Sequence, residues 1–159
     1  LLPPGALPLP QFGATCHRCY TCVATCPTGI LRVNWRPERP LTEWFQPEMS
    51  PNYGGCAKDC NRCGQLCPTG AIRSLSLPEK QRTTIGLARV EPSRCLAWNA
   101  GQHCMLCAGV CPYDAIAPAR MDAGIPAPVV VPDRCTGCGF CQLACPVLKP
   151  AKAIQIYPV

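Results

Sequence analysis

Long apolar runs are missing from this chain. The roughly eighteen consecutive apolar residues of a membrane-spanning helix occur nowhere in it. Aromatic residues are scarce, with three Phe, three Trp and four Tyr in 159 residues, and no apolar pattern at helical spacing persists over several turns. A thick hydrophobic core is therefore excluded, and something else must hold the chain together. A Gly-rich nucleotide fingerprint and a convincing nucleophile–base pair are also lacking, which leaves no sequence case for catalysis by this chain. The formal charge is +6, but no basic block is dense enough to expect a nucleic-acid partner. The sequence starts at Leu1 rather than Met and carries no visible signal peptide; the natural N-terminus is expected to lie outside it.

What the chain has in excess is cysteine, proline and glycine: sixteen, twenty and thirteen residues. Proline and glycine at that density break up long regular elements. The cysteines fall into four tetrads, each closed by a proline. "CHRCYTCVATCP" supplies Cys16, Cys19, Cys22 and Cys26. "CAKDCNRCGQLCP" supplies Cys56, Cys60, Cys63 and Cys67. "CLAWNAGQHCMLCAGVCP" supplies Cys95, Cys104, Cys107 and Cys111, and "CTGCGFCQLACP" supplies Cys135, Cys138, Cys141 and Cys145. The leading cysteines of successive tetrads stand 40, 39 and 40 residues apart, the period of a repeated supersecondary unit. The flanks repeat too. "CPTGILRV", "CPTGAIRSL" and "CPYDAIAPA" follow the fourth cysteine with a turn and a short apolar run, and "CPVLKPAKAIQIYP" does so after a delay. "LARVEPSRC" and "PVVVPDRC" precede the third and fourth tetrads. The unit reads as strand, cysteine loop, short helix containing the fourth cysteine, and returning strand. Residues 34–55, 76–86 and 118–128 are the less regular joins.

Disulfides, zinc and an iron–sulfur cluster are the three chemistries that would use such tetrads. A disulfide framework does not need a three-residue spacing repeated four times with Cys-Pro each time. Zinc sites more often use two C-x2-C pairs separated by a longer gap. A [4Fe–4S] cube needs four thiolates, and C-x2-C-x2-C wraps three of them around one corner while the fourth, after x3, points to a neighbouring cube. The pattern favours four [4Fe–4S] clusters. Their net negative charge, on the order of two units per cluster with its ligands, would offset the excess of Lys and Arg. The second tetrad has x3 between Cys56 and Cys60, and the third has x8 between Cys95 and Cys104; one ligand of each cube then arrives from a longer loop. The fold class expected is α+β, with duplicated ferredoxin-like two-cluster units of short strands and short helices. Electrons would move singly by tunnelling between sites whose separation and potential the protein sets. Bound clusters would also supply much of the stability. A structural metal–thiolate assembly module is the alternative of another class.

Several other residues invite a role. His17 and His103 sit beside cysteines, but every tetrad already has four ligands, so exposed or hydrogen-bonding His is the simpler reading. Trp35, Trp44 and Trp98 are expected to pack over a cluster rather than carry electrons. Arg18, Lys58 and Arg62 lie inside cysteine loops, where they would stabilise reduced clusters, dock a partner or simply be solvated.

The tetrads and their flanks resemble the bacterial polyferredoxins, and more closely the MauM/NapG-type family of four-cluster ferredoxins. "LLPPGALPLPQFGATCHRCYTCVATCPTGIL", "IGLARVEPSRCLAWNAGQHCMLCAGVCPYDAI" and "VVVPDRCTGCGFCQLACP" are similar to that family's first, third and last elements. The resemblance implies an electron-transfer subunit on the periplasmic side of a bacterial membrane, peripheral to it. It would pass electrons between a membrane-bound, quinol-linked subunit and a redox enzyme in a hetero-oligomeric complex. The four-cluster subunit of molybdopterin oxidoreductases is the runner-up. Related four-cluster proteins pair their repeats in a nested way. Carried over, this groups Cys16, Cys19, Cys22 with Cys145; Cys135, Cys138, Cys141 with Cys26; Cys56, Cys60, Cys63 with Cys111; and Cys95, Cys104, Cys107 with Cys67; a sequential pairing of the repeats would exchange only the fourth ligands. It also implies an outer unit of residues 1–33 plus 128–159, an arm over 34–55 and an inner unit over 56–127.

Overall fold

A proline after each fourth cysteine governs the local structure. The residue before proline is sterically pushed out of the helical region, so each helix must stop short of the fourth cysteine. The computed structural model describes residues 1–33, 35, 37–120 and 124–159; residues 34 and 36, in the expected arm, and 121–123, in the last join, lie outside these. In chain order the elements are α1 (Leu9–Thr15), α2 (Thr21–Ala24), β1 (Leu31–Val33), β2 (Pro47–Met49), α3 (Arg62–Gln65), α4 (Leu77–Arg82), β3 (Leu87–Val90), α5 (Leu96–Ala100), α6 (Leu106–Gly109), β4 (Ile116–Arg120), β5 (Pro126–Val130), α7 (Phe140–Ala144) and β6 (Ile154–Tyr157). Helices α2, α3, α6 and α7 hold the third cysteine of each tetrad, Cys22, Cys63, Cys107 and Cys141. The fourth cysteine falls just beyond the helix, not inside it as the sequence suggested; Cys145, for example, is already extended (φ −63°, ψ 123°).

The strands close in pairs, all antiparallel. Leu31 of β1 faces Met49 of β2, Leu87 of β3 faces Tyr157 of β6, and Ile116 of β4 faces Val130 of β5. Near the N-terminus a bridge joins Ala6 to Ile72, held by Leu7 N–H on the Ala71 carbonyl (2.9 Å) and Arg73 N–H on the Gly5 carbonyl (2.8 Å). One pairing order thus occurs twice. Chain ahead of one tetrad pairs with the return after the next, and the two inner segments pair with each other.

The buried side chains follow the same division. Phe12, Ile30, Leu31, Met49, Ala71 and Ile72 form one cluster. Ala88, Ala97, Ala115, Ile116, Ala127 and Ile154 form the other, with five alternating or adjacent cysteines and Ala153 among them. Both are small, as the scarcity of large apolar residues requires. Repeats 1 and 2 therefore make one half and repeats 3 and 4 the other, which corrects the expected outer unit (1–33 with 128–159) and inner unit (56–127). The reason is closure: the return after Cys26 runs directly into β1, and β2 completes its pair before the next tetrad begins. Local loops cost less entropy to close than the long ones a nested arrangement needs.

The two halves meet closely at residues 51–58 and 136–142. Cys56 N–H donates to the Cys138 carbonyl (2.7 Å) and Ile85 N–H to the Thr136 carbonyl (3.0 Å). Gln142 Nε2 donates to Asn52 Oδ1 (2.9 Å). Glycine permits this approach. A Cβ at Gly55 would stand 2.4 Å from the Phe140 ring, and one at Gly137 would stand 2.4 Å from the Gly86 carbonyl.

Candidate metal centres

Each cysteine loop is bent by backbone geometry that its sequence handles differently. In the two C-x2-C-x2-C loops the chain enters the left-handed region twice. Arg18 (φ 53°) and Tyr20 (φ 59°) do so in the first, Gly137 (φ 75°) and Gly139 (φ 93°) in the fourth. Alternation of left- and right-handed residues turns successive N–H groups toward one concavity, a nest for an anion. The longer second loop, with x3 after Cys56, has no such residue, and the third uses only Gly101 (φ 58°) as the cap of α5.

The loops enclose four cavities, and each is lined by four cysteines. Cavity I has Cys16, Cys19, Cys22 and Cys67. Cavity II has Cys26, Cys56, Cys60 and Cys63. Cavity III has Cys95, Cys104, Cys107 and Cys145. Cavity IV has Cys111, Cys135, Cys138 and Cys141. The first three cysteines of each tetrad line one cavity together. The fourth crosses to the adjacent repeat, Cys26 and Cys67 exchanging in one half and Cys111 and Cys145 in the other. The nested grouping carried over from related four-cluster proteins, in which Cys16 shared a set with Cys145 and Cys56 with Cys111, is therefore corrected. Strand pairing within each half carries a fourth cysteine to its neighbour's loop and no further.

The donor set fits an iron–sulfur cluster. All sixteen cysteines are free thiols. No set of three or more His, Cys, Asp or Glu among the described residues is arranged to hold a single metal ion; the thiols stand around a volume instead. Backbone N–H groups address their sulfurs: Ile72 to Cys67 (3.4 Å), Ala88 to Cys135 (3.4 Å) and Ala115 to Cys111 (3.3 Å). In the two Cys-Pro-Thr-Gly turns the threonine hydroxyl joins them, Thr28 at 3.6 Å from Cys26 Sγ and Thr69 at 3.7 Å from Cys67 Sγ.

Burial separates the thiols. Cys19 alone is exposed, while Cys22 and six cysteines of the second half are buried. Burial pushes the Cys22 thiol up to about 11, Cys63 to about 12, Cys107 to about 11 and Cys138 to about 11, and raises Cys141 as well; neighbouring thiols add to each of these. At Cys26 and Cys67 burial also acts upward, but hydrogen bonds from the turn outweigh it and the net direction is down. The Thr21 hydroxyl lowers Cys19.

The remaining residues singled out from sequence lie around these cavities. His17 is exposed at the edge of cavity I, and His103 is exposed. Arg18 donates through Nε to the Trp44 carbonyl (2.9 Å). Lys58 Nζ reaches across to the Pro112 carbonyl (3.1 Å). Arg62 lines cavity II with its side chain exposed. Trp98 packs in the second half, its Nε1 on the Pro128 carbonyl (3.0 Å). Trp35 is 63 % exposed and meets Trp44 edge-on (6.4 Å between rings) rather than covering a cavity. Sequence reasoning missed Lys80. The capping pattern Ser76-x-x-Glu79 that begins its helix was the available signal.

Four thiols around each of several cavities, short helices and paired strands define a ferredoxin-type iron–sulfur protein. The model of the 4Fe-4S dicluster domain matches residues 15–71 and again 101–148. Curated relatives are the methylamine utilization ferredoxin-type proteins MauM. That of Paracoccus denitrificans is 40 % identical over 98 % of this chain and 70 % of its own length. Those of Methylophilus methylotrophus and Methylobacillus flagellatus are each 36 % identical over 99 % of this chain, covering 70 % and 68 % of their own lengths. The chain belongs to the MauM-type ferredoxin family. It is an iron–sulfur electron-transfer protein carrying [4Fe–4S] clusters, and such a protein works with redox partners. No helix among the described residues is long and apolar enough to cross a membrane.

Proposed function

We propose that this chain carries four [4Fe–4S] clusters, one in each cavity, and passes single electrons between a membrane-bound, quinol-linked subunit and a redox enzyme. The complex would sit on the periplasmic side of a bacterial membrane. The observation that carries the reading is the arrangement of the sixteen cysteines into four cavities of four. Bound there, a cluster supplies one-electron chemistry. The protein's residues fix the separation, exclude water and direct N–H and O–H groups at the sulfurs, and these set potential. The connectivity supports the order I–II–IV–III. Cavities I and II share the crossed cysteines Cys26 and Cys67, III and IV share Cys111 and Cys145, and Cys56 of cavity II is bonded through its N–H to Cys138 of cavity IV. Cavity I, with exposed Cys19, is the natural point of entry or exit.

Two measurements test this. Iron and acid-labile sulfide, assayed without oxygen, should each come to about sixteen per chain; zinc or no metal sinks the reading in favour of a structural thiolate module. Mass spectrometry of what co-purifies in mild detergent should find a multi-span membrane protein. A large molybdopterin subunit in fixed ratio, with no membrane partner, overturns the quinol-linked assignment.

A further inference from the structure

A lysine is buried beside cavity II. Lys80, on α4, is 4 % exposed. Its Nζ donates to the carbonyl of Ala57, the residue after Cys56 and part of the cavity wall. The position is built. Ser76 and Glu79 form a reciprocal cap at the start of α4: Ser76 N–H donates to Glu79 Oε2 (2.8 Å), and Glu79 N–H donates to Ser76 Oγ (3.4 Å). Gln81, next to Lys80, donates to the Lys58 carbonyl (3.2 Å) and ties the same helix to the same loop.

A buried ammonium is costly unless an anion compensates it. Among the described residues no carboxylate lies within ion-pair distance of Lys80. The other charged groups of this loop and helix, Lys58, Asp59, Arg62, Glu79 and Arg82, are exposed, where water and salt screen them. The group that Lys80 does reach is the carbonyl of Ala57, one residue from Cys56 in the wall of cavity II. Cavity II would supply the missing anion when four thiolates there hold a cluster.

We propose that Lys80 sets the reduction potential of the centre held by Cys26, Cys56, Cys60 and Cys63, raising it so that an electron rests at the junction between the halves. This rests on the reading of cavity II as a cluster site. On reduction one electron arrives from a neighbouring reduced centre and none of the bonds changes; the site becomes one unit more negative. A fixed positive charge in a dry wall stabilises that added charge more than water would. Lys80 is a positioning and electrostatic residue, not a ligand. Beside cavity IV the corresponding cation is Lys58, which donates to the carbonyl of Pro112, the residue after Cys111 (3.1 Å), but is exposed where Lys80 is buried. In the second half Lys152, which is only half-buried, donates to the Cys145 carbonyl (3.0 Å) beside cavity III.

The test is an anaerobic redox titration, followed by electron paramagnetic resonance, of the loaded full chain and three variants. In Lys80→Met, with iron and sulfide unchanged, one couple should fall by at least tenfold in its reduction equilibrium, about 59 mV for one electron, and the others should stay. Gln81→Leu, which removes the neighbouring loop bond without removing charge, should move none, and Lys80→Arg should restore the wild-type couple. The proposal is overturned if no couple moves in loaded Lys80→Met, or if Gln81→Leu moves the same couple. Should Lys80→Met lose about a quarter of its iron and sulfide, retention in Lys80→Arg supports dependence on charge, and equal loss in Lys80→Arg overturns it. A wild-type chain without iron and sulfide defeats the cluster reading itself, whatever Lys80 does.

Discussion

Arg18 and Tyr20 occupy backbone conformations that Gly137 and Gly139 occupy in the fourth repeat. A left-handed residue with a Cβ costs roughly 1–2 kcal/mol, and the first loop accepts that cost twice where the fourth avoids it. Both loops reach the same end, three thiols facing one cavity. The third thiol is the one burial opposes most. A buried thiol is comfortable while protonated, and its raised value means the proton stays on in the folded chain. The contribution of Cys22, Cys63 and Cys107 to a cluster-free fold is therefore fully present below the ordinary thiol value of 9.0 and is lost as pH rises through about 11 to 12. Removing iron with a chelator should unfold the chain. Circular dichroism should show faster and more complete loss at pH 10 than at pH 7.5, and the loaded chain should be indifferent to that change. A cooperative, native-like melt of the iron-free chain at both pH values would refute this.

At the scale of elements nothing here stands alone. Helices α2, α3 and α6 have four residues each, far below the length at which an isolated helix persists, and each sheet has only two strands. Helix α4 is the exception in its means of support, because its ends are satisfied by its own side chains. Ser76→Ala should cost about 1 kcal/mol, read as a fall of about 2–4 °C in the midpoint of thermal unfolding; an unchanged midpoint would show that the cap contributes nothing. The elements differed in how plainly they could be read. "LARV", "PVVV" and "AIQI" announced β3, β5 and β6 as short apolar, β-prone runs next to proline, and the tetrads announced every cavity loop. Pro47–Met49 gave no such signal, because β2 starts on a proline and forms only against β1. Helix α4 lay in a stretch read as irregular although its capping box was in view. The crossing of Cys26 with Cys67 could not be read at all: adjacent and nested exchange use the same spacing, and strand pairing decides between them.

At the scale of the whole molecule, the junction decides whether two halves behave as one conductor. Gly55 lets residues 51–58 lie against the Phe140 ring, where Cys56 N–H bonds the Cys138 carbonyl. Gly55→Ala should force the Phe140 ring and the loop apart while removing no thiol. Rapid-mixing reduction should then change from one phase to two, with iron, sulfide and potentials unaltered; a single phase at the wild-type rate would show that the contact does not limit transfer. The exchange of fourth cysteines has a consequence of another kind. Delete one repeat and its own cavity disappears, while the neighbour is left with three thiols. Delete an adjacent pair, 1 with 2 or 3 with 4, and every surviving cavity keeps its full set. In this architecture the smallest length of gene that can be gained or lost without stranding a ligand encodes about eighty residues, two periods of the repeat.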